Sequence, residues 1–181
     1  MRRIDGAATA RVRAVFEDHF ARGEELGAEV CVWQDGHELL RFGGGWRDAA
    51  ESSPWTGDTI VFCWSATKGP AAACALHALQ EAKVLSEAPV ADVWPEFGAA
   101  GKDKVTISDL LAHRAGLAVL DEPGLDVFAL EEVAAALAAQ TPNWEPGTAH
   151  GYAPRTFGYL LDALVRRTAG LPLGAYWRKA F

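Results

Sequence analysis

The β-hairpin near the N-terminus places the strongest constraint on what this chain can fold into. Residues 28–33 alternate in polarity as a strand does, Asp35 and Gly36 provide a tight turn, and residues 37–43 return as a second strand. No later segment has a comparable strand pattern. Because two strands alone form a marginal sheet in water, we expect further strands to pair with them.

Helical patterns fill most of the remaining sequence. Thr106 and Asp109 form a capping box that predicts a helix, which we expect to continue through His113 and to end at Gly116. The predicted fold class is α+β, with an antiparallel sheet packed against helices and a helical subdomain. Amphipathic or alanine-rich spacing predicts the other helices over residues 8–22, 71–83, 130–140 and 156–168, and from residue 173 onwards.

The composition argues against several classes of function. The net charge is −7 and the basic residues are scattered, so we expect no nucleic-acid partner. No uninterrupted apolar stretch is long enough to cross a membrane, so we expect no membrane partner. Charged residues interrupt the segment that follows Arg2 and Arg3, which argues against a signal peptide.

The cysteines Cys31, Cys63 and Cys74 indicate a reducing compartment. Their odd number and the lack of a C-x-x-C spacing argue against a disulfide framework and against a zinc site. We therefore expect reduced thiols and a cytoplasmic location. Nothing in the sequence implies a cofactor or a metal.

Ser65 and Lys68 are the first candidates for catalysis. At positions i and i+3 of a helix, the hydroxyl and the amine lie on one face and can meet. A serine becomes nucleophilic when a base takes its proton, and a neutral lysine can be that base. The helix N-terminus also supplies a backbone N–H for an oxyanion. The alternative is an N-cap serine followed by a solvated lysine, but the position at a strand-to-helix junction favours catalysis.

Tyr152 is the third candidate. Two glycines and a loop, in residues 147–152, place it at the start of an amphipathic helix. A tyrosine near a lysine can share its proton and act as a general base or acid. The alternative is a tyrosine at the edge of the core. His150 either lines the entrance of such a site or is an exposed loop histidine.

Several signatures, in order, resemble those of the serine β-lactamase and penicillin-binding-protein superfamily, which includes class C β-lactamases and family VIII esterases. Residues 65–69, S-A-T-K-G, resemble its S-x-x-K motif, and residues 105–117, V-T-I-S-D-L-L-A-H-R-A-G-L, resemble its T-x-x-x-L-L-x-H-x-x-G-L signature. The resemblance covers the chain from about Val30 to its end. Its P-G-T…Y…G-Y-L-L…T-G run is matched by residues 144–148, Tyr152, 157–161 and 168–170.

The resemblance implies a role for each candidate and a β-lactamase/transpeptidase-like fold. Ser65 would be the nucleophile that forms an acyl-enzyme, Lys68 its base, and Tyr152 the third member of the proton network. His113 would be a structural helix histidine. Residues 1–181 would be the N-terminal part of a single domain, with the first two strands, the nucleophile helix and the helical subdomain. The fold would be incomplete at the C-terminus, without the last strands and the third motif that supplies a second oxyanion donor.

One departure from the family pattern affects the predicted reaction. The Y-x-N motif of β-lactamases is Tyr152-Ala153-Pro154 here, so the amide that would contact a β-lactam side chain is absent. The esterase branch tolerates this loss. We therefore predict a serine hydrolase that acts on small esters or amides through an acyl-enzyme. The alternatives are a β-lactamase or D-Ala-D-Ala carboxypeptidase, and an inactive truncated fragment or non-catalytic binding module.

The expected partners are a small-molecule ester or amide substrate and, through the unpaired sheet edge, another chain. An exposed strand edge presents unpaired backbone groups, and these promote aggregation or pairing with a further strand. The hairpin therefore predicts self-association.

Overall fold

The computed structural model describes residues 6–181, and the chain divides into two compact units. The first ends at Phe62 and contains the hairpin, and the second comprises Cys63–Phe181. In the range 6–181, no helix has the length and apolar character needed to cross a membrane. The expectation that all 181 residues belong to one domain stays a prediction.

The first unit is built from a helix and the predicted hairpin. Helix α1 (Gly6–Ala21) is followed by β1 (Gly27–Gln34) and β2 (His37–Gly45), which pair antiparallel. The turn residues Asp35 and Gly36 both have positive φ angles, 51° and 76°. A turn of this hand matches the twist of the strands, which is why the Asp-Gly pair predicted the hairpin correctly.

Aromatic contacts hold α1 on the hairpin. The ring of Phe16 meets the buried ring of Phe42 edge-on, with 5.1 Å between centroids. The guanidinium of Arg13 lies 4.3 Å from the centroid of the same ring.

Across the two strands, the Arg41 Nε donates to the Glu29 carboxylate at 2.5 Å. In the part of the chain that the structure describes, the sheet contains β1 and β2 alone.

The second unit is helical and contains most of the buried side chains. A 3-10 turn, Trp64–Thr67, runs directly into α2 (Lys68–Glu81). Helix α2 packs against α5 and α6, and α4 packs against α5. The later helices are α3 (Ile107–Leu111), α4 (Leu130–Ala139), α5 (Thr156–Ala169) and α6 (Leu173–Ala180).

Helix α5 lies at the centre of this unit because one face of it is almost entirely apolar. Leu161, Leu164 and Val165 have no solvent exposure. Burying a side chain of this size stabilises the fold by about 1.5–3 kcal/mol before entropy is counted. The helix ends at Gly170, which has a φ of 69°, a left-handed conformation that glycine adopts without a steric cost.

The structure confirms the start of α3 and corrects its end. The Thr106 hydroxyl accepts the Asp109 N–H at 3.0 Å, and the Asp109 carboxylate accepts the Thr106 N–H at 3.3 Å, so the capping box is present. The helix nevertheless ends at Leu111, and His113 adopts a φ of 60°. A left-handed residue cannot continue a right-handed helix. His113 is therefore not a helix histidine, and Gly116 lies in the loop beyond.

Candidate active site

Ser65 lies in the 3-10 turn that leads into α2 and is exposed to solvent. The residue before it, Trp64, has a φ of 44°. A bulky residue in this region costs on the order of 1–3 kcal/mol, and such strain persists where the surroundings fix the backbone. The backbone conformation of Trp64 thus sets the direction of the turn that carries Ser65 into α2.

Lys68 lies one turn after Ser65 and contacts it. The Nζ of Lys68 lies 3.3 Å from the Oγ of Ser65, as the i, i+3 spacing predicted. The same Nζ donates a hydrogen bond of 2.8 Å to the carbonyl oxygen of Pro154. The amine is thereby held between the hydroxyl and a carbonyl on a distant loop.

Tyr152 reaches the same hydroxyl from the loop before α5. Its OH donates to the Oγ of Ser65, and the Lys68 Nζ lies 4.9 Å from the centroid of its ring. The hydrogen bond with Ser65, supported by the nearby Lys68 amine, holds the pKa of Tyr152 below its usual value, although partial desolvation opposes the shift. The structure therefore brings together the three residues that the sequence singled out.

The loop that carries Tyr152 depends on close packing at Gly151. A Cβ added there would lie 2.5 Å from the ring of Trp144, so only glycine fits without a shift of the indole. The indole N–H of Trp144 donates to the carbonyl of Ala149 at 3.2 Å. Trp144 thus packs against the loop and restrains the backbone immediately before Tyr152.

Two histidines lie near the site. His113 is half-buried: its ring stacks on Phe157 at 4.7 Å and lies 5.3 Å from Tyr152, centroid to centroid. Burial, followed by the charges of Lys68 and His150, lowers the pKa of His113. His150 is exposed to solvent on the loop that precedes Tyr152.

Sequence reasoning missed two contributions to this site. The sequence marks Pro154 only as the replacement of an asparagine, whereas its backbone carbonyl binds the Lys68 amine. A backbone carbonyl leaves no trace in the residue type, so no sequence signal marks it. The sequence predicts His113 on a helix, whereas the structure places it in a loop beside Tyr152. The histidine in the family signature was the available signal.

The site contains no obvious place for a metal. Between residues 6 and 181, no group of three or more His, Cys, Asp or Glu side chains is arranged to hold an ion. The amine of Lys68 and the phenol of Tyr152 meet at Ser65, and the Pro154 carbonyl binds the amine. The amine and the phenol can move protons to and from the serine hydroxyl.

A serine, lysine and tyrosine that meet beside a helical subdomain are the arrangement that the sequence signatures implied. Residues 12–180 match the family described as Beta-lactamase, and the chain belongs to that family. Solved structures of related proteins also confirm the β-lactamase/transpeptidase-like α+β fold.

The relatives that this chain resembles include esterases and a penicillin-binding-protein homologue. The chain is 35% identical, over 98% of its length, to the esterase/beta-lactamase LipL of Mycobacterium tuberculosis, of which it covers 42%. It superposes with a TM-score of 0.86 and 39% identity on a family VIII carboxylesterase, covering 93% of this chain and 47% of that one. A penicillin-binding-protein homologue from Caulobacter crescentus gives 0.89 and 39%, covering 95% and 47%. The chain thus spans somewhat less than half the length of these relatives.

Proposed function

We propose that this chain carries the nucleophile and the proton-transfer groups of a serine hydrolase that forms an acyl-enzyme at Ser65. The observation that carries the proposal is the meeting of two proton-transfer groups at one oxygen. The Lys68 amine lies 3.3 Å from the Oγ of Ser65, and the Tyr152 hydroxyl is hydrogen-bonded to the same atom. The names of the relatives, which include a carboxylesterase and an esterase/beta-lactamase, support the same class of reaction.

The proposed reaction follows from the two groups at the site that can accept and donate protons. Lys68 and Tyr152 together accept the proton of the Ser65 hydroxyl while the Oγ attacks the carbonyl carbon of the substrate. The tetrahedral intermediate then collapses, the bond to the leaving group breaks, and the stored proton passes to the leaving oxygen or nitrogen. Water then gives up a proton to the same pair as its oxygen attacks the acyl carbon, the bond to Oγ breaks, and the pair returns the proton to Oγ. A phenol whose pKa is lowered is better suited to accepting a proton near neutral pH.

Small esters are the favoured substrates, with amides second. Pro154 stands where β-lactamases have an asparagine, and a proline side chain offers no amide to a β-lactam. A β-lactamase or D-Ala-D-Ala carboxypeptidase is the second candidate, because relatives of this chain carry β-lactamase and penicillin-binding-protein names. Hydrolysis of a chromogenic ester compared with that of a chromogenic cephalosporin distinguishes the two.

Covalent labelling tests the proposed nucleophile. The 181-residue chain is treated with a fluorophosphonate or with p-nitrophenyl acetate, and the modified residue is located by peptide mass spectrometry. Ser65→Ala should abolish labelling, and Ser86→Ala, which removes a serine outside the site, should not change it. Lys68→Met should lower the labelling rate by roughly 10²–10⁴-fold, the range for losing a general base. Lys104→Met removes an exposed lysine and serves as its matched control.

Two results would contradict the proposal. Labelling that continues at the wild-type rate in Ser65→Ala would identify another nucleophile. A chain that is folded by circular dichroism yet unreactive towards both reagents would favour the alternative of a non-catalytic binding module or inactive fragment.

We also propose a cytoplasmic location. The support is that the sequence contains an odd number of cysteines, Cys31, Cys63 and Cys74, with no C-x-x-C spacing. Disulfide frameworks form mainly in oxidising compartments, so this pattern fits a reducing one. A native mass spectrum that shows a disulfide in protein isolated from its source would contradict this location.

A further inference from the structure

His113 contacts three consecutive residues of the loop that carries Tyr152. Its carbonyl oxygen accepts the N–H of Gly151 at 3.1 Å, and its ring Nδ1 accepts the N–H of Ala153 at 3.2 Å. Its ring also lies 5.3 Å from that of Tyr152. One histidine therefore binds the backbone on both sides of the tyrosine and packs on the tyrosine itself.

The unusual backbone of His113 makes this double contact possible. Its φ of 60° is uncommon outside glycine, although histidine is among the residues that tolerate it better. The ring of Phe157 stacks on that of His113, with 4.7 Å between centroids. Strained residues of this kind persist where surrounding contacts fix them, and they cluster at functional sites.

We propose that neutral His113 positions Tyr152 for proton transfer with Ser65, and that protonation of its imidazole breaks the bond to Ala153 and loosens the loop there. The inference rests on the proposed function of Ser65 and Tyr152. His113 acts through the loop and does not touch the reacting oxygen, so it is a positioning residue.

Protonation disrupts the contact because of the hydrogen-bonding capacity of imidazole. Nδ1 can accept the Ala153 N–H only when it carries no proton, which places the single ring proton on Nε2. In the imidazolium both ring nitrogens are donors, so the Ala153 N–H would face another N–H. The contact from Gly151 to the His113 carbonyl does not titrate and would remain.

The surroundings of His113 favour the neutral ring. Lys68 on α2 and His150 on the loop face it with like charge, Tyr152 faces it with a phenol, and Phe157 on α5 is uncharged. Burial first, then Lys68 and His150, lower the pKa of His113 below that of a free histidine. The bond from Ala153 to the ring is therefore fully formed above the ordinary histidine pKa of about 6.5 and is lost as pH falls through the lowered value.

Two variants of His113 distinguish the effect of its hydrogen-bond acceptor from the effect of its aromatic ring. His113→Asn keeps a side-chain acceptor and tolerates the positive φ, whereas His113→Phe keeps an aromatic ring and has no acceptor. The rate of Ser65 labelling by a fluorophosphonate is measured between about pH 4.5 and 8, a range that brackets histidine titration. His37→Gln, which removes an exposed histidine of the hairpin, is the control.

We expect His113→Phe to label more slowly by about 10²-fold, the cost of a misplacement near 1 Å. The additional fall in the wild-type rate at the midpoint of His113 protonation should be absent in His113→Asn, whose acceptor does not titrate. Equal losses in the two variants, with this fall unchanged, would overturn the proposal, because they would indicate packing alone. A wild-type rate in His113→Phe would overturn it as well.

A measurement on the unaltered chain keeps the inference independent of folding defects and of the proposed function. In an NMR titration, the Ala153 amide should shift with the same midpoint as the His113 ring, and the Gly151 amide should move less. An Ala153 amide that ignores protonation of His113 would overturn the proposal. If the wild-type chain is not labelled at all, the proposed function fails, and this titration still decides whether His113 holds the loop.

Discussion

Lys102 places its amine on the carbonyl oxygen of Gln140, where helix α4 ends, and its side chain has no solvent exposure. A cation at this end of a helix meets the negative pole of the helix dipole. Gln140 in turn binds the loop that follows α3: its side chain accepts the Asp121 N–H at 2.9 Å and donates to the Val119 carbonyl at 3.0 Å. The buried Lys102 amine thus stabilises the end of α4, and the Gln140 side chain at that end binds the loop that follows α3.

Truncation of Lys102 should destabilise the fold. Lys102→Ala removes a buried aliphatic stem, and we expect a loss of about 2–5 kcal/mol in the free energy of unfolding, measured in urea. Lys102→Met keeps most of the volume and removes the desolvated charge, so its loss should be smaller. Equal losses in both variants would show that the ion–carbonyl contact, rather than packing, dominates.

The pH dependence of stability offers a second test of Lys102. Burial lowers the pKa of this amine in the folded state. Between the lowered value and the usual lysine value of about 10.4, the unfolded chain binds more protons, so stability should rise with pH in that interval. Lys102→Met should lack this rise when the two proteins are compared by urea unfolding across the alkaline range.

Tyr152 should shape the alkaline part of the reactivity profile. The hydrogen bond with Ser65 holds its pKa below the usual tyrosine value, so the phenolate that can accept a proton becomes populated at lower pH. The labelling rate of Ser65 should therefore rise before pH reaches about 10. Tyr152→Phe should lower the rate and remove this rise, whereas Tyr159→Phe, which removes a hydroxyl bound to the Val127 carbonyl, should keep it.

Pro154 provides a test of substrate preference. Pro154→Asn retains the backbone carbonyl that binds the Lys68 amine, so ester labelling should persist. The new amide supplies the donor that the β-lactamase motif carries, and acylation by a penicillin should increase relative to the ester. The loss of proline should cost only about 0.4–1 kcal/mol of stability. An unchanged ratio of penicillin to ester reactivity would show that this position does not select the substrate.

The hairpin should drive association between chains, as the sequence suggested. Within the described residues β1 pairs with β2 alone, and Val32 and Trp33 of β1 are 37% and 60% exposed. We expect concentration-dependent association in sedimentation velocity. Val32→Lys places a charge on this strand, a device that disfavours edge pairing, and should shift the equilibrium towards the monomer. A wild-type chain that stays monomeric at high concentration would contradict the expectation.

Local signals predicted the elements well where the chemistry of a residue decides the backbone. The Asp35-Gly36 turn and the Thr106–Asp109 capping box both follow from such chemistry, and the structure contains each of them. The i, i+3 spacing likewise predicted the contact between Ser65 and Lys68, because that distance is set within a single turn.

Predictions failed where contacts distant in sequence override local preference. The helix that begins at the Thr106–Asp109 capping box was expected to continue through His113, but that histidine has a left-handed conformation and is bonded by the N–H groups of Gly151 and Ala153. The contact between Lys68 and the Pro154 carbonyl is also long-range, and a backbone group carries no sequence signature.

The hydroxyl of Tyr152 meets that of Ser65 across 87 positions of sequence. Closing so long a loop costs chain entropy that must be recovered by contacts formed elsewhere, so an encounter of this kind comes late in folding. Helix α2, by contrast, can form from its own residues. During refolding from urea, recovery of the helical signal should therefore precede recovery of Ser65 reactivity. The interval between the two measures how long the loop of Tyr152 takes to dock beside Ser65.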